Sequence, residues 1–222
     1  MKIKNNLDQL VYDKIIDDMI MGQYKMGDRI MVNSLADEYE ISKTPVIQAV
    51  KLLCNDDVFQ VQKNGWIIVP ELTKKDINNV CEVRLLLEQY AIKNVLEKEP
   101  EKNKELWNLL EEDADKCKSY FEKNDYLKLA KTDLKFHRDL ITGTENTYLR
   151  EIYRKVQGKF ILASYLVLPL KNRLLSKTVD DHYRILKKLK KNDLEGSLQE
   201  IEEHITSIYN YITNQESTEN NK

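Results

Sequence analysis

The sequence predicts a mainly α protein: an N-terminal winged helix-turn-helix with a small β-hairpin wing, followed by an all-α antiparallel helical bundle. Three observations predict it. The 222 residues include only 6 Gly and 4 Pro, with 32% charged and 41% hydrophobic residues, a composition that favours helix over sheet or disorder. Asn64-Gly65 separates two β-favourable runs just after three short helical patterns, and Asn-Gly is a strong hairpin signal because both positions tolerate positive φ. After Thr73, apolar residues recur at helical spacing almost to the end.

In the first unit, residues 1–72, Leu7, Leu10, Val11, Ile15, Met19 and Ile20 repeat at helical spacing and Gly22 stops the helix. Lys25-Met26-Gly27-Asp28 reads as a turn and residues 30–32 as a short strand. Asn33 or Ser34 is then expected to cap a helix over 35–39. Ser42 as N-cap and Pro45 in the first turn open a third helix that runs to about Cys54. Val46, Ala49, Val50, Leu52 and Leu53 form its inward face, leaving Lys43, Thr44, Ile47, Gln48 and Lys51 outward. Residues 58–62 and 66–69 around Lys63-Asn64-Gly65 make the wing.

In the second unit, residues 73–214, Thr73 caps a long helix to about Lys98 with Val80, Val83, Leu86, Leu87 and Ala91 inward. Further helices are expected over 102–123, 125–141, 146–167, 171–191 and 193–213, and residues 215–222 as a disordered polar tail. Trp107, Tyr120 and Phe121 suit bundle or dimer packing.

A net charge of -2 does not advertise nucleic-acid binding, but the only charges between Ser42 and Asn55 are Lys43 and Lys51, and the charge of the reading elements matters more than the total. Cys54, Cys81 and Cys117 are odd in number and lack a C-x-x-C, which argues for reduced thiols and against a disulfide framework. With no leader-like start and no run of eighteen apolar residues, a cytoplasmic chain with no membrane partner is expected. The absence of H-E-x-x-H and of a glycine-rich phosphate loop weighs against an enzyme.

All three histidines lie in the second unit. Asp133 precedes His137 by one helical turn, so both share a face. His182 lies ten residues before Asn192 and His204 twelve after it. Across an antiparallel turn at Asn192-Asp193 both would stand roughly 15 to 18 Å from the turn, at one height. A lone helical histidine is more often a surface or satisfied core residue. The correlated placement of Asp133, His137, His182 and His204 instead suits one divalent ion, for which zinc, nickel and manganese are all acceptable, with positions left for a carboxylate ligand.

Leu35-Ala36, Ser42-Lys43-Thr44-Pro45-Val46 and Asn64-Gly65 before the apolar strand resemble the DNA-binding domain of the GntR family of bacterial regulators. Arg84 with Glu88, Asp133-x-x-x-His137, Asn146, Asp181-His182, Ile185, Asp193 and His204 resemble its FCD type of ligand-binding domain. The resemblance implies a homodimeric transcription regulator, a repressor by family habit, that binds double-stranded DNA at palindromic operators. It also implies that the second domain takes a small organic acid, often through a metal. Lys43, Thr44, Gln48 and Lys51 would contact DNA, with Lys63 and Asn64 at the wing. Arg84 would pair an effector carboxylate, unless it is spent on a salt bridge with Glu88, and Asn146 and Tyr165 would line the pocket. Lys43 stands where the family usually has Arg, and Ile47-Gln48 where it has Arg-Glu, so a different half-site is expected. A protein-interaction module and a metal-dependent enzyme are the competing readings.

Overall fold

A computed structural model describes residues 7–167 and 173–219. The chain order is α1 (Leu7–Ile20), β1 (Arg29–Ile30), α2 (Val32–Glu38), α3 (Lys43–Asn55), β2 (Gln60–Val61), β3 (Ile67–Ile68) and α4 (Lys74–Leu96). A 3-10 turn (Pro100–Asn103) leads to α5 (Lys104–Glu122), α6 (Tyr126–Thr142), α7 (Thr147–Val167), α8 (Arg173–Lys190) and α9 (Leu194–Glu219). None of these helices is long and apolar enough to cross a membrane.

Local chemistry sets most boundaries. Gly22 leaves α1 at φ 75°, and Gly65 turns the wing at φ 81°. Thr73 and Asp76 form a reciprocal capping box at α4, and Asp125 accepts the Lys128 N–H at the start of α6. Asn192, at φ 55°, and Asp193, which accepts the Gly196 N–H, make the turn between α8 and α9. The three strands pair antiparallel in the order β1-β3-β2, with Ile67 opposite both Ile30 and Val61. Strand β1 thereby ties the wing to the body of the first unit.

Several features differ from the sequence reading. Helix α2 begins at Val32 with Met31 at its N-cap, because the extended Met31 already offers its carbonyl to the Leu35 N–H; Asn33 and Ser34 lie inside the first turn. Ser42 occupies the α3 N-cap position, but its side chain makes no capping bond. Leu52 is 40% exposed, since Val46, Ala49, Val50 and Leu53 alone fill the inward stripe of α3. Helix α9 runs on to Glu219, as nothing in Asn-Gln-Glu-Ser-Thr-Glu breaks a helix; only the last three residues of the expected tail lie outside the described residues.

The largest difference is the phase of α4. Val83 and Leu86 point outward, 43% and 67% exposed, while Ile77, Cys81, Arg84, Glu88, Ala91, Ile92 and Val95 are buried. A charged pair has taken the inward stripe because partners on α6 and α7 meet it there.

Two cores result. One joins α1, α2, α3 and the wing through Ile15, Met19, Val46, Leu53 and Phe59, and draws in Ile161 and Leu162 from α7. The other joins the six long helices α4 to α9 through Ile92, Leu110, Phe136, Leu140, Ile185 and Ile201. Leu72, at the junction of the two units, packs against both. All three cysteines are free thiols.

Candidate functional site

Helix α6 supplies Asp133 and His137, α8 supplies His182 and α9 supplies His204. One ligand atom from each lies within 4.8 Å of the other three. His137 Nε2 is 3.0 Å from His204 Nε2 and 3.4 Å from His182 Nε2. Asp133 Oδ1 is 3.1 Å from His182 Nε2 and 3.8 Å from His137 Nε2. Two ligands each about 2.1 Å from one ion, at tetrahedral or octahedral angles, stand about 3.0 to 3.4 Å apart. Three of these four separations fall in that range, so the groups are gathered close to the spacing of a coordination shell.

The surrounding hydrogen bonds point the same way. His137 Nδ1–H donates to Glu88 Oε2 at 2.7 Å, and His204 Nδ1–H to Asp181 Oδ2 at 3.2 Å. With a proton on each Nδ1, two Nε2 lone pairs face one another 3.0 Å apart, an arrangement that a cation between them would relieve. Asp133 Oδ1 is buried without hydrogen-bond geometry to any partner, as is His182 Nδ1. Phe136 stacks on the His182 ring with centroids 4.2 Å apart.

Protonation fits the same chemistry. Burial pushes His137 down to about 3, with the Arg84 charge adding to it against Glu88 and Asp133, and burial lowers His204 too. Burial opposes ionisation of Asp133, but the His182 contact and the field of His137 outweigh it and hold the carboxyl well below the usual range. Glu88 is likewise penalised by burial and held down more strongly by Arg84 and His137. Neutral imidazoles at His137 and His204 beside an ionised Asp133 are the forms that bind a metal.

In the first unit, Lys43, Thr44, Ile47, Gln48 and Lys51 share the exposed face of α3. Lys63 and Asn64 are exposed at the wing tip, where Asn64 Oδ1 accepts the Trp66 N–H at 3.0 Å and so shapes the turn. Arg29 of β1, which the sequence reading passed over, lays its guanidinium 3.9 Å over the Trp66 ring and puts a further cation beside the wing. Its signal was the alternation of the short strand, Arg29 outward and Ile30 inward.

Residues 7–69 match the bacterial regulatory proteins of the gntR family, and residues 79–207 match the FCD domain. The chain belongs to the GntR family of bacterial transcription regulators, FCD type. It is similar to the gluconate operon transcriptional repressor of Bacillus subtilis (strain 168), with 23% identity over 87% of this chain and 80% of that protein. An HTH-type transcriptional regulator of the same organism, YdhC, is 24% identical over 87% of this chain and 85% of its own. Among solved structures, E. coli McbR/YncC superposes with a TM-score of 0.78 at 22% identity, covering 96% of this chain and 99% of that one. The protein is a DNA-binding regulator with an effector-type second domain, not an enzyme.

Within this GntR regulator, α7 touches both sites. The Tyr153 hydroxyl donates to Glu88 at 2.7 Å, and Arg84, whose Nε donates to the same carboxylate at 2.6 Å, lies 4.2 Å from the Phe160 ring. The next residue, Arg154, pairs with Asp56 at 2.8 Å. Asp56 is the C-cap of α3 and also accepts from Tyr12 at 2.9 Å. Gly158 lies so close that a Cβ there would be 2.0 Å from the Asp56 carbonyl oxygen.

The expected effector contacts divide. Arg84 is 2% exposed and belongs to the Glu88 network, so the alternative salt bridge is present. Asn146 is exposed and caps α7, its Oδ1 accepting the Leu149 N–H, a capping position rather than a lining one. Tyr165 falls in α7, and its side chain lies outside the described residues. Glu88 and Asp181 gain roles the sequence reading did not give them, orienting His137 and His204, and Tyr153 in turn holds Glu88.

Proposed function

We propose that this regulator is a homodimeric, cytoplasmic repressor whose helical domain holds a divalent metal and a small organic acid, and whose grip on a palindromic operator changes when the acid binds. The observation that carries the reading is the convergence of three buried Nε2 atoms and one carboxylate oxygen, with the His137 and His204 lone pairs facing one another. Asp133, His137, His182 and His204 would hold the ion, and zinc, nickel and manganese all accept that donor set. The bound ion would supply a Lewis-acid anchor for a carboxylate.

The chain's own groups do the rest. Glu88 and Asp181 fix the Nδ1 protons and so aim the Nε2 lone pairs inward. Arg84 places a guanidinium charge behind Glu88 and holds that carboxylate ionised toward His137. Because a relative is named for the gluconate operon, sugar acids are the first effectors to try. Lys43, Thr44, Gln48 and Lys51 would contact the operator, with Lys63 and Asn64 of the wing on its backbone or minor groove. An exposed apolar stripe on α4, Val83, Leu86 and Tyr90, supports a dimer contact. Helix α7 links Glu88 to Asp56 and offers a route from the cluster to α3. A cleft of about 570 Å³ opens between α1, α3, α6 and α7, beside the Arg154–Asp56 pair. A tenfold change in operator affinity needs about 1.4 kcal/mol of difference between the two arrangements.

Metal analysis of the purified protein, beside His137→Ala, tests the centre. About one divalent ion per chain, lost in the variant, is the expected result. A wild-type protein that retains no metal and takes up none of the three offered would end the reading. Operator binding with metal present, titrated with sugar acids, then tests the response.

A further inference from the structure

We infer that Ile47 reads the 5-methyl group of a thymine in each operator half-site, with Gln48 beside it reading an adenine, so that A·T pairs occupy the centre of the half-site. The inference rests on α3 being the DNA-reading helix.

Ile47 is 39% exposed in the middle of the α3 reading face, with Lys43 one turn before it and Lys51 one turn after. Its neighbours Val46, Ala49 and Val50 are fully packed inward, so Ile47 is not a core residue pushed to the edge. On the major-groove edges of the four base pairs, the thymine methyl is the one apolar group. An aliphatic side chain at a reading position has no other base feature to match.

The rest of the helix narrows the alternatives to guanine contacts from Lys43 or Lys51, at the two ends of the face, and a hydroxyl contact from Thr44. Residues 43–55 contain no Arg, the usual bidentate reader of guanine, and no Asp or Glu to accept from the cytosine amino group. Lys43 and Lys51 bracket the face as point charges suited to phosphates. Gln48 remains as the amide that can pair bidentately with adenine N6 and N7. Apolar in the centre, an amide beside it and cations at both ends is the chemistry of a T-and-A core flanked by backbone contacts.

The test starts from random DNA, so the operator need not be identified first. Duplexes selected by the full-length protein from a random-sequence library are resynthesised with deoxyuridine in place of thymidine at one position at a time, which deletes only the methyl. One symmetry-related position should weaken binding about fourfold per half-site, the worth of burying one methyl group. Ile47→Ala, an exposed change to a good helix former, should bind the thymidine duplex more weakly and be indifferent to deoxyuridine there. Tolerance of deoxyuridine at every position overturns the inference while leaving DNA reading intact. So does equal sensitivity in Ile47→Ala, which would assign the methyl contact elsewhere, for example to exposed Val61 or Trp66 of the wing. A selection that yields no preferred sequence overturns the DNA-reading face itself.

Discussion

Helices α3 and α4 are both amphipathic, and they face opposite ways. Helix α3 buries Val46, Ala49, Val50 and Leu53 and shows Lys43, Gln48 and Lys51 to solvent. Helix α4 buries Arg84 and Glu88 among Ile77, Ala91 and Val95 and shows Val83, Leu86 and Tyr90. The inward face of a helix is thus set by what it must meet. In α3 that is an apolar core, and the polar residues are free for a partner. In α4 it is His137 and Tyr153, whose polar atoms would be orphaned without Glu88, and the apolar residues are left over for a partner.

The comparison breaks most severely at Glu88. Glu88→Ala strands Arg84 as an unpaired buried charge and should lower unfolding free energy by about 3 to 5 kcal/mol in urea titration. It should also weaken metal binding by about 10 to 100-fold, because His137 loses the partner that orients it. Gly158→Ala comes next, with an expected loss of about 1 to 3 kcal/mol as α7 is forced from α3. An unchanged melting temperature would show that the two helices part at little expense. Leu86→Glu should leave the fold intact and raise the dimer dissociation constant at least about tenfold, a loss of about 1.4 kcal/mol; equal sedimentation of variant and wild type would clear the α4 stripe of any interface role.

A further effect is expected with pH. His137 ordinarily titrates near 6.5 and is lowered to about 3 in the folded metal-free protein. Between those values the unfolded chain takes up a proton that the native ring refuses, so apo stability should fall as pH drops from 6.5 toward 3. Glu88 and Asp133, also held low, add to the loss once pH passes through their ordinary carboxylate range. His137→Phe should flatten the upper part of that decline in melting temperature.

What was legible in the sequence was local. Asp133 and His137 share a face by spacing alone, and the Asn192-Asp193 turn brings His182 and His204 to one height. The outward face of α3 follows from its helical period, with Pro45 in the first turn marking where it starts. The phase of α4 was not legible, because Val83, Leu86 and Leu87 make a better apolar stripe than the one it uses. That Glu88 serves His137 depends on a contact across 49 positions of chain. Nothing in the sequence named Asp56 as the neighbour of Gly158.

The contact at Gly158 also bears on exchanging parts between such regulators. Residues 70–73 look like a convenient place to cut, yet a head transplanted there onto another helical domain would carry Asp56 and Tyr12 without their Gly158 and Arg154, and would expose core positions that Ile161 and Leu162 now cover. A working chimaera of this protein would have to take its seam along the surface of α7 rather than along the chain.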